Sequence, residues 1–111
     1  MTGESLTSLE SSVLEVFCAQ YEGEGFPSVH EIFVVSRQNT GAGRVIKLSS
    51  SRPLSCPDGY LDMGGHFIEM SGIEHGLMAV VAVVHSLAAE LEIATYGDVA
   101  WDGVEREWKI I

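Results

Sequence analysis

Apolar side chains recur every three or four residues in the first part of the chain, which is the spacing of one face of an α-helix. The stripe runs over residues 5–21 and consists of Leu6, Leu9, Val13, Val16, Phe17 and Tyr21. Thr7 and Glu10 have the spacing of a capping box, so the helix is predicted to begin near Thr7. Glycines and a proline within residues 23–27 end it. An apolar stripe of this length requires a second layer that covers it.

The segments that follow the helix favour antiparallel strands. β-Branched and aromatic residues are frequent in them, and turn residues separate them in pairs. The strand segments of the two predicted hairpins are residues 29–36, 44–49, 60–63 and 66–71. A glycine-rich stretch at residues 39–43 separates the first pair, and Gly64-Gly65 forms the expected turn of the second.

Residues 73–91 are predicted to form a second, buried helix, because their middle is apolar almost all round. Four valines in this segment also suit a buried strand, but its length favours the helix. A short strand at residues 92–96 follows. Asp102-Gly103 is the expected turn of a C-terminal hairpin that joins residues 99–101 to the alternating run at 104–111.

These elements give the predicted order α-β-β-β-β-α-β-β in one domain that spans residues 1–111. Every link between strands looks like a hairpin except those around the second helix, so the sheet of 4–6 strands is expected to be mainly antiparallel. Two helices on one face of that sheet make a two-layer α+β sandwich.

The charge of the chain is its most informative functional feature. Sixteen aspartate and glutamate residues oppose six lysine and arginine residues, so the formal net charge is -10. An excess of this size repels phosphate backbones and anionic lipid headgroups and attracts cationic partners. Binding to nucleic acid or to a membrane surface is therefore disfavoured, and the expected partner is a basic protein.

The acidic residues are also segregated along the chain. Residues 1–31 hold six acids and no lysine or arginine, and residues 58–105 hold nine acids and again no base. Between these segments lie four basic residues without an acid, namely Arg37, Arg44, Lys47 and Arg52. The first hairpin is therefore predicted to be a basic patch, which suggests self-association through the acidic face of another copy as a rival to a separate partner.

The C-terminal hairpin is the predicted partner-binding patch, because it combines carboxylates with tryptophans, which often anchor interfaces. The candidate binding residues are Asp98, Trp101, Asp102, Glu105 and Glu107, together with Asp58 and Asp62. Trp101 lies next to the turn and is expected to be exposed, whereas Trp108 falls on the inward side of the alternation. The competing interpretation is that these carboxylates only keep the protein soluble.

Signals for catalysis or metal binding are weak. His75 and His85 are ten residues apart, whereas metal ligands on one face of a helix require a separation of three or four residues, and no HExxH motif is present. Cys56 is followed at once by acids, which do not favour a thiolate nucleophile. The sequence therefore predicts no catalytic residue, no metal site and no cofactor.

The leading hypothesis is a non-catalytic inhibitor of the immunity or antitoxin type that neutralises a basic protein such as a nuclease toxin. One alternative is a homodimeric secretion chaperone or adaptor that holds an unfolded segment along an exposed strand. Another is a small hydrolase or metal-dependent enzyme that uses Cys56 or the histidines. The chain shows no signal-peptide pattern, which predicts a cytoplasmic location.

Overall fold

The computed structural model describes residues 5–111 as one helix, α1 (Ser8–Gln20), packed on one antiparallel sheet. The strands are β1 (Phe33–Asn39), β2 (Gly43–Ser49), β3 (Gly59–Asp62), β4 (Ile68–Met70), β5 (Ile73–Val84), β6 (Leu87–Thr95) and β7 (Trp108–Ile110). Their order in the sheet is β1-β2-β6-β5-β4-β7, and β3 also pairs with β5. The predicted α+β class with an antiparallel sheet is therefore confirmed. Glu4, counted among the acids above, lies outside the described residues.

The first helix is confirmed together with its capping box. Thr7 is the N-cap: its hydroxyl accepts a hydrogen bond from the backbone N–H of Glu10 at 3.1 Å, and the Glu10 carboxylate accepts one from the N–H of Thr7 at 3.0 Å. Two orphan donors at the helix start are thereby satisfied. The buried side chains of α1, among them Leu9, Val13 and Phe17, form the core with the inner face of the sheet.

The first hairpin is also confirmed, with β1 paired to β2 from Phe33↔Ser49 to Asn39↔Arg44. Its first strand starts later than predicted, because Val29–Glu31 forms a single turn of 3₁₀ helix. A bulge between Val34 and Ser36 bends β1, which is one edge of the sheet.

The predicted second helix is wrong, and so is the sheet of 4–6 strands. Residues 73–91 form β5 and part of β6, which raises the number of strands to seven and leaves α1 as the one α-helix of residues 5–111. His85 and Ser86 make the two-residue turn between these strands with φ of 52° and 66°, the positive values that a type I′ turn requires. The segment looked apolar all round because both faces of β5 are apolar.

The carboxylate of Asp58 holds this turn from outside the hairpin. It accepts hydrogen bonds from the backbone N–H groups of His85 at 2.9 Å and of Ser86 at 3.0 Å. These two hydrogen bonds lower the pKa of Asp58, because they stabilise its ionised form. A turn without asparagine or glycine is thus stabilised by a residue that is distant in sequence.

The two other predicted hairpins are wrong as well. β3 and β4 do not pair with each other but lie end to end along the same edge of β5, with Asp62 opposite Val80 and Ile68 opposite Leu77. Residues 63–67 connect the two strands, so the chain departs from the edge of β5 after β3 and pairs with the same edge again at β4. At the C-terminus β7 pairs with β4 instead of with residues 99–101, which belong to a loop.

A buried network of charges joins α1, the first hairpin and the C-terminal loop. The side chain of Glu10 is 0% exposed and contacts Arg37 at 2.6 Å and Arg44 at 3.0 Å. Arg44 also contacts Glu105 at 2.5 Å and donates to the carbonyl oxygen of Gly103. Two carboxylates and two guanidinium groups therefore compensate one another where water is excluded.

The hydrogen bonds of this network set the ionisation of Glu10. Burial alone would raise the pKa of its carboxyl, but hydrogen bonds from Arg37, from the backbone of Thr7 and from Arg44 outweigh burial and lower it. A carboxyl with a lowered pKa in the folded state stabilises the fold above its unfolded pKa, and this stabilisation is lost as the pH falls through the folded value.

Replacing Glu10→Gln should lower the free energy of unfolding by about 3–5 kcal/mol at pH 7, because the buried guanidinium of Arg44 and the partly buried one of Arg37 lose a charged partner. Urea unfolding of the variant should also show less loss of stability than the native protein as the pH falls below about 4.3. Glu15→Gln, an exposed change on the same helix, is the matched control and should stay within about 0.5 kcal/mol. Equal stability of the two variants would contradict this account of the network.

Replacing Ser86→Gly should raise the free energy of unfolding by about 1 kcal/mol, because glycine adopts a positive φ without the steric cost that serine pays. Urea unfolding measures the gain. The control is Ser51→Gly, at an exposed loop position outside the positive-φ set, which should give no gain. A gain of the same size in both variants would mean that the turn is unstrained.

Candidate partner-binding surface

The predicted partner-binding residues do not share one face. Asp58 lies at the turn between β5 and β6, whereas Asp98 follows the far end of β6. The nine residues of β6 separate these two points by about 26 Å. Asp58 therefore lies far from the residues predicted at the C-terminus.

Trp101 was expected to be exposed, and this expectation is wrong. Its side chain is 1% exposed, its Nε1–H donates to the carbonyl oxygen of Val104 at 2.9 Å, and the guanidinium of Arg44 lies 5.1 Å from the ring centre. A cation over the face of a tryptophan ring is an attractive contact. Trp101 is thus part of the core, and Glu105, paired with Arg44, belongs to the buried network.

The remaining predicted carboxylates differ in how far their charge is compensated. Asp102 forms a two-pronged ion pair with Arg106, at 2.9 and 2.7 Å, and this pair holds the pKa of Asp102 well below its usual range. Asp62 is exposed and accepts a hydrogen bond from the N–H of Gly64 at 2.8 Å. Glu107 and Asp98 are exposed.

Each lysine and arginine of the chain is paired with a carboxylate. Besides the two arginines of the buried network, Lys47 contacts Glu90 at 3.0 Å and Arg52 contacts Glu31 at 3.4 Å. Arg106 pairs with Asp102, and Lys109 lies 3.8 Å from Glu69. The first hairpin is therefore not a free basic patch, because its arginines at 37 and 44 point to Glu10 on the helix side of the sheet.

Nine carboxylates among residues 5–111 make no ion pair with lysine or arginine. They are Glu15, Glu22, Glu24, Asp58, Asp62, Glu74, Glu92, Asp98 and Glu107. The negative charge of the protein is therefore carried by its surface, while the charges in its interior cancel.

The side of the sheet that faces away from α1, here called the outer face, is unusually apolar. Side chains alternate along a strand, and in β5 the inner set is buried while the outer set is also apolar. The apolar side chains of the outer face include Val45, Tyr60, Met78, Val80, Ala82 and Val84. The solvent side of an antiparallel sheet normally carries polar residues. Large exposed apolar patches on soluble proteins are typical of interaction surfaces.

The cross-strand register places two uncompensated carboxylates on this face. Glu92 of β6 stands opposite Val45 of β2 on one side and Val80 of β5 on the other. Asp62 of β3 lies opposite Val80 in the same row. One row across the outer face therefore reads valine, carboxylate, valine, carboxylate.

A shallow groove of about 880 Å³ lies at the other end of the sheet, between β4, β7 and the start of β5. Its lining includes Phe67, Glu74, Glu107 and Trp108. Trp108 is half-buried, and two of the uncompensated carboxylates border the groove. The groove is a second acidic surface with an aromatic side chain, and it contains one residue of the predicted patch, Glu107.

No group of three or more histidine, cysteine, aspartate or glutamate side chains within residues 5–111 is arranged to hold a metal ion. The Nδ1 atom of His66 lies 2.9 Å from the carbonyl oxygen of Ile111, and the thiol of Cys18 donates to the carbonyl oxygen of Pro27 at 3.0 Å. Burial is the main cause that raises the pKa of Cys18, which opposes thiolate formation.

Of the residues on the outer face, the sequence-based prediction includes Asp62 but not Glu92 or Met78. The apolar run at residues 77–84 indicates an apolar outer face only once the segment is known to be a strand. The helix described here is too short and too polar to cross a membrane. Comparison of the chain with protein-family models, curated proteins and solved structures found no significant match.

The two tryptophans should differ in their accessibility to acrylamide. In a Trp108→Phe variant, the fluorescence of Trp101 should resist quenching, because that side chain is buried. In Trp101→Phe the remaining half-buried Trp108 should be quenched more readily. Trp101→Phe should also cost about 1 kcal/mol of unfolding free energy, since the hydrogen bond from the indole N–H to the Val104 carbonyl is lost. Efficient quenching of Trp101 would show that its side chain is exposed and would contradict its place in the core.

Proposed function

We propose that this protein is a non-catalytic inhibitor that binds and neutralises a basic protein in the cytoplasm, in the manner of an immunity protein or antitoxin acting on a nuclease. The observation that carries the proposal is the pairing of every lysine and arginine with a carboxylate. The surface is left with uncompensated carboxylates and no free cationic patch to offset them in residues 5–111.

The chemistry of the target explains why such a surface inhibits. A nuclease holds its polyanionic substrate in a cationic groove. A protein that presents carboxylates occupies the same groove and excludes the nucleic acid. Complementary potentials also accelerate association and reject partners of the wrong charge, which suits an inhibitor that has to act before its target does.

The same pairing weakens the case for self-association through opposite charges. Arg37 and Arg44 are directed at Glu10, and Lys47 is engaged with Glu90, so the first hairpin offers little positive charge to a second copy. A charge-driven contact therefore requires a different, basic protein.

A second candidate function, the chaperone or adaptor, is favoured by one observation. β1 is an edge strand of seven residues that pairs only with β2 among the described strands, and Phe33 and Val35 on it are exposed. An extended segment of another protein can add to such an edge. Sedimentation at micromolar concentration separates the two proposals: a monomer argues against the homodimeric chaperone.

The proposed function is tested by affinity capture from the native cell at low salt, followed by assay of the captured protein. We expect a basic protein that is released at about 0.5 M salt, because the contact is electrostatic. The activity of the captured protein should fall to zero when one equivalent of the inhibitor is added. If the captured protein degrades nucleic acid, the activity to measure is nuclease activity. Recovery of no basic protein, or full activity of the captured protein in the presence of excess inhibitor, would refute the proposal.

A further inference from the structure

We propose that the outer face of the sheet is the surface that docks the partner, and that Glu92 at its centre receives an arginine or lysine side chain that the partner presents among apolar side chains. This inference rests on the proposed function and adds to it the site and the chemistry of the recognised surface. The proposed site lies on strands β2, β6, β5 and β3 and not on the C-terminal segment that the sequence predicts.

The outward side chains of β5 form the apolar part of the proposed docking surface. Met78, Val80, Ala82 and Val84 occupy alternate positions of one strand, and Met78 and Val84 are 42% and 46% exposed. Tyr60 on the neighbouring β3 is opposite Ala82 and 76% exposed. The exposed parts of these side chains contribute no hydrophobic free energy to folding. Covering them on binding is favourable in proportion to the apolar area that is removed from water.

The outer face also carries a net negative charge. Lys47 and Glu90 are cross-strand partners in contact with each other, so their charges cancel. Within residues 5–111, Glu92 and Asp62 make no ion pair with lysine or arginine. The central strands of the face therefore carry a negative charge embedded in apolar surface.

This combination favours a basic partner over a second copy of the chain. Two copies that met through their outer faces would bring like charges together in the apolar surroundings, where repulsion is stronger than in water. A partner that presents a cation among apolar side chains would form an ion pair with Glu92 as water is removed from the surrounding surface. A charge pair that is desolvated in this way discriminates strongly against partners that lack the cation.

The sheet as a whole is broad enough to hold an interface of standard size. The protein measures 36 × 35 × 20 Å, and the shortest dimension corresponds to the two layers of sheet and helix. The outer face therefore lies parallel to the two longer dimensions. The rectangle they bound exceeds the roughly 800 Å² that each partner buries in a standard interface.

The test uses a synthetic hairpin peptide with alternating arginine and valine on one face, titrated into ¹⁵N-labelled protein at low salt. A second peptide with glutamine in place of arginine tests whether the cation is needed. We expect the arginine peptide to shift the backbone amides of β2, β5 and β6, and the glutamine peptide to bind at least about tenfold more weakly. Equal binding of the two peptides, or no binding of the arginine peptide, would overturn the inference.

Four variants locate the contact. Glu92→Gln and Val80→Thr preserve side-chain size on the outer face, and each should weaken the arginine peptide about tenfold. Glu15→Gln, which removes an uncompensated carboxylate from α1, should leave the affinity within about twofold. If Glu107→Gln weakens binding while the Glu92 variant does not, the groove between β4 and β7 is the site and the outer face is not.

The outcomes separate this inference from the proposed function. If a basic protein is captured and inhibited but its affinity is unchanged by Glu92→Gln and Val80→Thr, the inhibitor stands and the docking surface falls. If the amides of the outer face shift with protein concentration alone, a second copy covers this face and the inference is wrong.

Discussion

Glu10 carries a negative charge at a place from which water is excluded, and three separate parts of the chain meet in the network that compensates it. The helix provides the carboxylate, the first hairpin provides Arg37 and Arg44, and the loop after β6 provides Glu105. An unpaired charge in such a place costs several kcal/mol, so these parts have to hold their positions relative to one another. The same contacts neutralise Arg37 and Arg44, two of the four basic residues between positions 32 and 57. The surface therefore stays acidic.

The arrangement separates two roles of charge in one small protein. In the interior, opposite charges cancel and specify how helix, hairpin and loop are joined. On the surface, carboxylates remain uncompensated, and some of them lie on a sheet face that no helix covers in the described chain. Because α1 covers only one side of the sheet, apolar side chains of the central strand β5 stay accessible on the other. Acidity and accessible apolar surface therefore coincide at Glu92.

The parts of the fold that the sequence predicted are those held by local interactions. The capping box of Thr7 and Glu10 spans three residues, and the glycine-rich turn before β2 is short, so both elements follow from neighbouring residues. The segment 73–91 was misjudged because its turn contains no glycine or asparagine and depends on Asp58, which lies 27 residues from His85. Glu92 was missed as a site residue because its apolar neighbours come from β2 and β5, which only the register of the sheet brings together.

The strand order also determines when the sheet can form as the chain is made. β1 and β2 are complete early in the sequence, yet the partner of β2 on its other side is β6, at residues 87–95. Until β6 has left the ribosome, the apolar inner side of the first hairpin has only α1 to cover it. Loop closure between such distant strands is slow, and exposed hairpins of this kind are prone to aggregation. Prompt closing of β5 and β6 around their turn would therefore shorten the time for which the first hairpin lacks its second neighbour in the sheet.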